Sequence, residues 1–184
     1  MPLRIPLHEA CVRRRALCPS CMSKVKSGEV AEWEVEVFKA LFSAVEKKGV
    51  SDELRYVASA IAGSTLYVAV EGNEIAMLED EVSRALSIPR VARVRMLFFK
   101  GGELGLLERI YGQKVLSVNK VYDPDGSIQV YVKVPRPDPG ADKLASLLLK
   151  VRVQSIGSEE QHKAERVSST RRADVRKLLE KLFM

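Results

Sequence analysis

The sequence predicts a mixed α/β (α+β) chain. Apolar residues recur at helical and then at strand spacing in the order helix, strand, strand, helix, strand, and this order occurs twice. A short head rich in cysteine precedes the two units, and a polar stretch with one more amphipathic helix follows. The expected segments are a head over 1–28, a first unit over 29–100, a second over 101–156 and a basic tail over 157–184.

Composition sets the class. A chain of 184 residues with 46% hydrophobic content can build a core, and it fits one domain or two small ones. Its formal net charge of +6 points to a polyanionic partner. The charge is patchy. Residues 1–28 hold six bases (Arg4, Arg13, Arg14, Arg15, Lys24, Lys26) against Glu9, and 90–100 hold four (Arg90, Arg93, Arg95, Lys100) with no acid. Between them, 71–89 hold five acids against Arg84. No run of about 18 apolar residues is present, so no membrane helix is expected. Nor is there a secretory h-region at the N-terminus, and the expected location is cytoplasmic.

The head reads His8-Glu-Ala-Cys11 and then Cys18-Pro-Ser-Cys21. Two ligand pairs, each with two residues between, wrap a tetrahedral ion by giving it two corners apiece from a tight turn. Three thiolates and one imidazole close the shell, which suits a structural Zn2+ and leaves no position for water. An iron–sulfur cluster would normally want four cysteines. A redox reading of the second pair lacks the βαβ context that such motifs occupy. Arg13, Arg14 and Arg15 fall between the pairs, as a solvated loop or as a phosphate clamp. The head is expected to be separable from the body.

Ser27 is placed to cap a helix over Glu29–Lys48, with acids in its first turns, bases in its last, and Gly49 as its stop. A hairpin follows, Arg55–Ile61 and Thr65–Val70 about Ala62-Gly63-Ser64. One helix is expected over Glu74–Leu86 and a strand over Val91–Phe99, with Ala92, Val94, Met96 and Phe98 on one face and Arg93 and Arg95 on the other. Gly101-Gly102 marks the seam. The second unit runs through a helix over Glu103–Tyr111, a strand over Val115–Tyr122, the Asp123-Pro-Asp-Gly126 turn and a strand over Ile128–Val134. A helix over Ala141–Leu149 and a strand over Val151–Ile156 complete it, and Thr170–Phe183 reads as an amphipathic basic arm containing Arg171 and Arg172.

The opening Arg4-Ile-Pro-Leu, Cys18-Pro-Ser-Cys21, Ser27-Gly-Glu with its helix, and Val121-Tyr-Asp-Pro-Asp-Gly-Ser resemble the archaeal NusA-like proteins, over about residues 3–156. The resemblance implies a zinc knuckle followed by two type II KH domains. KH domains clamp single-stranded nucleic acid with a Gly-x-x-Gly loop between two helices. Here Glu74–Leu86 reads as those helices fused without the loop, and Pro139-Gly-Ala-Asp-Lys143 lacks the second glycine. Both units are therefore degenerate, and Glu79, Asp80 and Glu81 would repel phosphate.

The expected function is non-enzymatic RNA binding. There is no nucleophile elbow, no phosphate loop and no open metal position. The expected contacts are Arg4, Arg13, Arg14, Arg15, Lys24, Lys26, Arg90, Arg93, Arg95, Lys100, Arg171 and Arg172, acting on phosphates. A component of a ribonucleoprotein of the ribosomal small-subunit type fits best, with rRNA and neighbouring ribosomal proteins as partners. The alternative is a NusA-like transcription factor on RNA polymerase and nascent RNA. A protein–protein scaffold is the third reading.

Overall fold

The computed structural model describes residues 3–157. The predicted helix over Thr170–Phe183, with Arg171 and Arg172, lies outside them. The described chain is mixed α/β, with six helices and two sheets. None of these helices is long and apolar enough to cross a membrane.

A short strand, β1 (Leu3–Arg4), leads into helices α1 (Glu9–Arg14) and α2 (Pro19–Lys26), and then the long α3 (Glu32–Lys48). Ser27 does not start α3. It ends α2, donating its hydroxyl to the Lys24 carbonyl at 3.1 Å. The helix begins later, after Ala31, whose amide donates to the Glu34 carboxylate at 3.0 Å. Lys47 and Lys48 fill the last turn, and Gly49 takes the left-handed conformation that closes it.

Strands β2 (Leu54–Ala62), β3 (Thr65–Glu71) and β4 (Arg93–Phe99) form one sheet in the order β1-β2-β3-β4. The β2–β3 pair is antiparallel, and β1–β2 and β3–β4 are parallel. The crossover from β3 to β4 carries helix α4 (Leu78–Ala85). Gly72 begins that crossover against β2, where an added Cβ would sit 2.7 Å from Leu54 Cδ2 and 2.9 Å from the Glu53 carbonyl oxygen. The predicted helix over Glu74–Leu86 is shorter than its apolar stripe. Met77 is left-handed, so Ile75 packs on the core from a turn and the helix starts at Leu78.

One face of this sheet holds the core. Leu66, Val68, Val70, Val94 and Met96 meet Val37, Phe38, Leu41 and Val45 of α3 and Leu78 and Val82 of α4. Tyr56, buried on β2, donates its hydroxyl to the buried Glu34 and shares a hydrogen bond with Ser59, so the carboxylate has a partner on each oxygen. Arg93 and Arg95 stand exposed on the opposite face, as expected, while Ala92 precedes the strand and is exposed. On that opposite face Ala69 and Phe99 are covered by Leu106, with Val57 and Ile110 packed beside them. Leu106 and Ile110 belong to helix α5 (Gly102–Tyr111). The sequence places this helix at the head of the second unit, yet it packs on the first sheet. The described chain divides into residues 3–110 with 147–149, and 111–146 with 150–157.

The second unit has strands β5 (Ser117–Tyr122), β6 (Ile128–Lys133) and β7 (Arg152–Ile156) in that order, the first pair antiparallel and the second parallel. This is the connectivity of β2, β3 and β4. The hairpin turn is tied by Ser127, whose hydroxyl donates to Asp125 at 2.6 Å and to Asp123 at 3.0 Å. Helix α6 (Pro139–Leu149) is capped by Asp138, which accepts the Ala141 amide at 3.1 Å, with Pro139 as its first residue. Tyr111 donates to Asp142 at 2.6 Å, and the same carboxylate oxygen accepts the Ser155 amide at 2.8 Å.

Candidate metal centre

Each ligand pair straddles the start of a helix. His8 is the N-cap of α1 and Cys11 sits in its first turn, while Cys18 is the N-cap of α2 and Cys21 stands three residues on. An N-cap side chain and the one three residues later lie side by side over the helix end. Two such ends brought together present four donors. Nδ1 of His8 lies 3.3 Å from Cys18 Sγ, 3.5 Å from Cys21 Sγ and 4.0 Å from Cys11 Sγ. All four ligand atoms lie within 4.8 Å of one another. A tetrahedral ion bonded to nitrogen at about 2.0 Å and sulfur at about 2.3 Å needs donor separations of about 3.5–3.8 Å. The four residues lie close enough to hold such an ion.

The backbone prepares the sulfurs for negative charge. The Cys21 amide donates to Cys18 Sγ at 3.5 Å, and the His8 amide donates to Cys21 Sγ at 3.3 Å. Cys18 is pulled down to about 6, mainly by the Cys21 amide; desolvation acts against this, and the side chain of His8 adds to it. Burial pushes the Cys21 thiol up. The site grades from an exposed His8 through half-buried Cys11 and Cys18 to a buried Cys21.

The head is not separable. Leu7, Val12, Cys21 and Val30 belong to the same core as α3 and the sheet. Arg13 fastens it further, donating to Glu9 at 2.9 Å and to Glu46 on α3, with its guanidinium 5.3 Å from the centre of the Phe42 ring. Both acids raise the Arg13 pKa, Glu46 more than Glu9. Lys24 donates to the Pro6 carbonyl at 2.6 Å.

These contacts sort the predicted cations. Arg13 and Arg14 form the last turn of α1, and Arg15 caps it in a left-handed conformation, so the three are a helix end rather than a loop. Arg13 and Lys24 are engaged within the chain. Arg14, Arg15 and Lys26 are exposed on the head. Arg4 pairs with Glu53 at 2.5 Å. Arg90, Arg93, Arg95 and Lys100 form a second exposed group, on and beside β4.

The acids near α4 also have structural duties. Glu79 accepts the Met96 amide of β4 at 2.8 Å. Glu81 is buried and lies 2.7 Å from Arg84, 3.3 Å from Lys47 and 4.0 Å from Lys48. Burial pushes the Glu81 carboxyl up, but the bond to Lys47 and the three positive charges outweigh it and leave it below its ordinary value.

Sequence reasoning missed the two helix starts in the head. Pro19 directly after Cys18, and Glu9 opening a segment that Arg13 and Arg14 close, were the signals. It also missed Glu46 and Phe42 as the seat of Arg13. Compared with known proteins, the chain matches no family model and no curated protein.

Proposed function

We propose that the chain is a non-enzymatic RNA-binding protein whose head is built around one structural zinc ion and whose two units are degenerate KH-like folds. The observation that carries this reading is the four-donor cluster, with Arg14, Arg15 and Lys26 exposed on the helices that supply it. Three thiols and an imidazole favour zinc over harder ions, and four protein donors leave no place for a reactive water. A closed site of this kind folds its segment and displays what lies on it. Here that is unpaired positive charge suited to phosphate.

The KH-like reading is supported by the repeated strand connectivity and by the resemblance in the head and at Val121–Ser127. In each unit a single helix stands between the two parallel strands, with no second helix and no glycine loop at that crossover. Contacts to RNA would then rest on shape and phosphates, which suits a fixed place in a ribonucleoprotein of the ribosomal small-subunit type. The alternative, a NusA-like factor on RNA polymerase and nascent RNA, is favoured by the same head and turn residues.

Three measurements test the reading. Elemental analysis of the purified chain should return one zinc per molecule. Replacing Arg14 and Arg15 together with Gln should weaken RNA binding and flatten its salt dependence by about 1.4–1.8 units of slope; an unchanged slope would move the contact elsewhere. Sedimentation of a native lysate separates the two settings, because a ribonucleoprotein component travels with the particle through moderate salt and a polymerase factor does not.

A further inference from the structure

The face of the first sheet opposite its core is covered by α5 only at one end, over Ala69 and Phe99. At the other end the alternation and register place six residues side by side. Ala60 of β2 lies beside Tyr67 of β3, which lies beside Arg95 of β4, and Ala62 lies beside Thr65, which lies beside Arg93. Tyr67 is the one aromatic side chain among them, half-buried between alanine and threonine neighbours. Arg93 and Arg95 are exposed and have no acidic partner among the described residues.

Resting on the RNA-binding reading, we propose that this open end of the sheet is a platform for single-stranded RNA, with a base stacked on the Tyr67 ring and flanking phosphates held by Arg93 and Arg95. The chemistry fits. A central-strand aromatic with cations on the neighbouring strand and small residues around it offers a flat ring without crowding, and stacking of this kind tolerates any base. The patch is positive without counter-charge, so its complement is an anion. The ring selects a partner that has flat faces as well as phosphates. The second sheet also carries a tyrosine on its middle strand, Tyr131, though beside the uncharged Asn119 and Gln154, on the face away from the buried Val130 and Val132.

The test uses the full chain and fluorescein-labelled oligouridine, followed by anisotropy across a salt series. Tyr67→Leu should weaken binding about tenfold or more at unchanged salt slope, and Tyr67→Phe should bind like the parent. Arg93→Gln with Arg95→Gln should lower the slope by about 1.4. On the unaltered chain, a thiouridine-substituted oligomer should crosslink to the peptide containing Tyr67, which keeps the proposal testable even should the leucine variant fold poorly. Tyr67→Leu binding like the parent, no crosslink at that peptide, or equal competition by polyglutamate would overturn it, the last pointing to an acidic protein segment instead. If only Arg14→Gln with Arg15→Gln weakens binding, this inference fails and the RNA reading stands. If the parent chain binds no oligomer, the RNA reading fails first.

Discussion

The two units share an order and a sheet connectivity but not a means of stability. In the first, α3 and α4 seal one face of the sheet, α5 covers part of the other, and the head adds its own apolar residues to the same core. In the second, β5 is exposed along almost its whole length, and only one helix follows the hairpin. Both nevertheless contain a buried tyrosine giving its hydroxyl to a helix carboxylate. The first pairs Tyr56 with Glu34 and sets the Ser59 hydroxyl against the tyrosine; the second pairs Tyr111 with Asp142 and sets the Ser155 backbone amide against the carboxylate. The tyrosine comes from a strand in the first and from a helix in the second. Topology repeated in a chain therefore does not fix where its interior polar contacts come from. Burial creates the need for a partner, and whichever side chain is near meets it.

On the zinc reading, the widest gap between the units should open on losing the metal. Cys21→Ala removes a donor and a core side chain together, so the first unit should lose cooperative unfolding or fall by roughly 3–5 kcal/mol, with zinc content near zero. His8→Ala, at an exposed ligand, should release metal with a smaller loss. Calorimetry with elemental analysis checks both, and equal stability of the Cys21 variant would break the view that the head and the first unit are one body.

Tyr56→Phe comes next, because it leaves the buried Glu34 short of a donor. It should cost about 2–3 kcal/mol in thermal or denaturant unfolding. The matching Tyr111→Phe should cost less, about 1–2 kcal/mol, since Asp142 is only half-buried and keeps the Ser155 amide. Equal losses would erase the contrast in burial.

Arg13→Leu should cost only about 1 kcal/mol, because its ion pairs are solvent-exposed and the Phe42 contact is partly kept. The smallest effect concerns acid. Glu81 is held below the ordinary carboxyl value in the folded state. Its contribution is therefore fully present above the unfolded value and disappears as pH falls through the folded one. Unfolding midpoints measured down an acid series should decline less steeply in Glu81→Gln than in the parent chain.

Much of this was legible in the sequence. Helices and strands with a long apolar period came out within a few residues, and the four ligand atoms converge as their spacing implied. The misses have physical causes. Helices of six and eight residues in the head are too short to show a stripe, and their caps are the ligands themselves. The stripe through Ile75 overran the helix, because a turn can bury an apolar residue as well as a helix can. Nothing in the period of α5 says which sheet it will cover. Arg13 looked like a free cation because Glu46 stands 33 residues away, beyond any local rule.

Cys21 has one more consequence. Its sulfur is one of the four candidate donor atoms and also part of the packed interior. On the zinc reading, a cell short of the metal would not hold a population of intact but inactive molecules. It would hold fewer molecules, since chains that fail to fold are removed by proteolysis. Metal supply would then be read out as abundance.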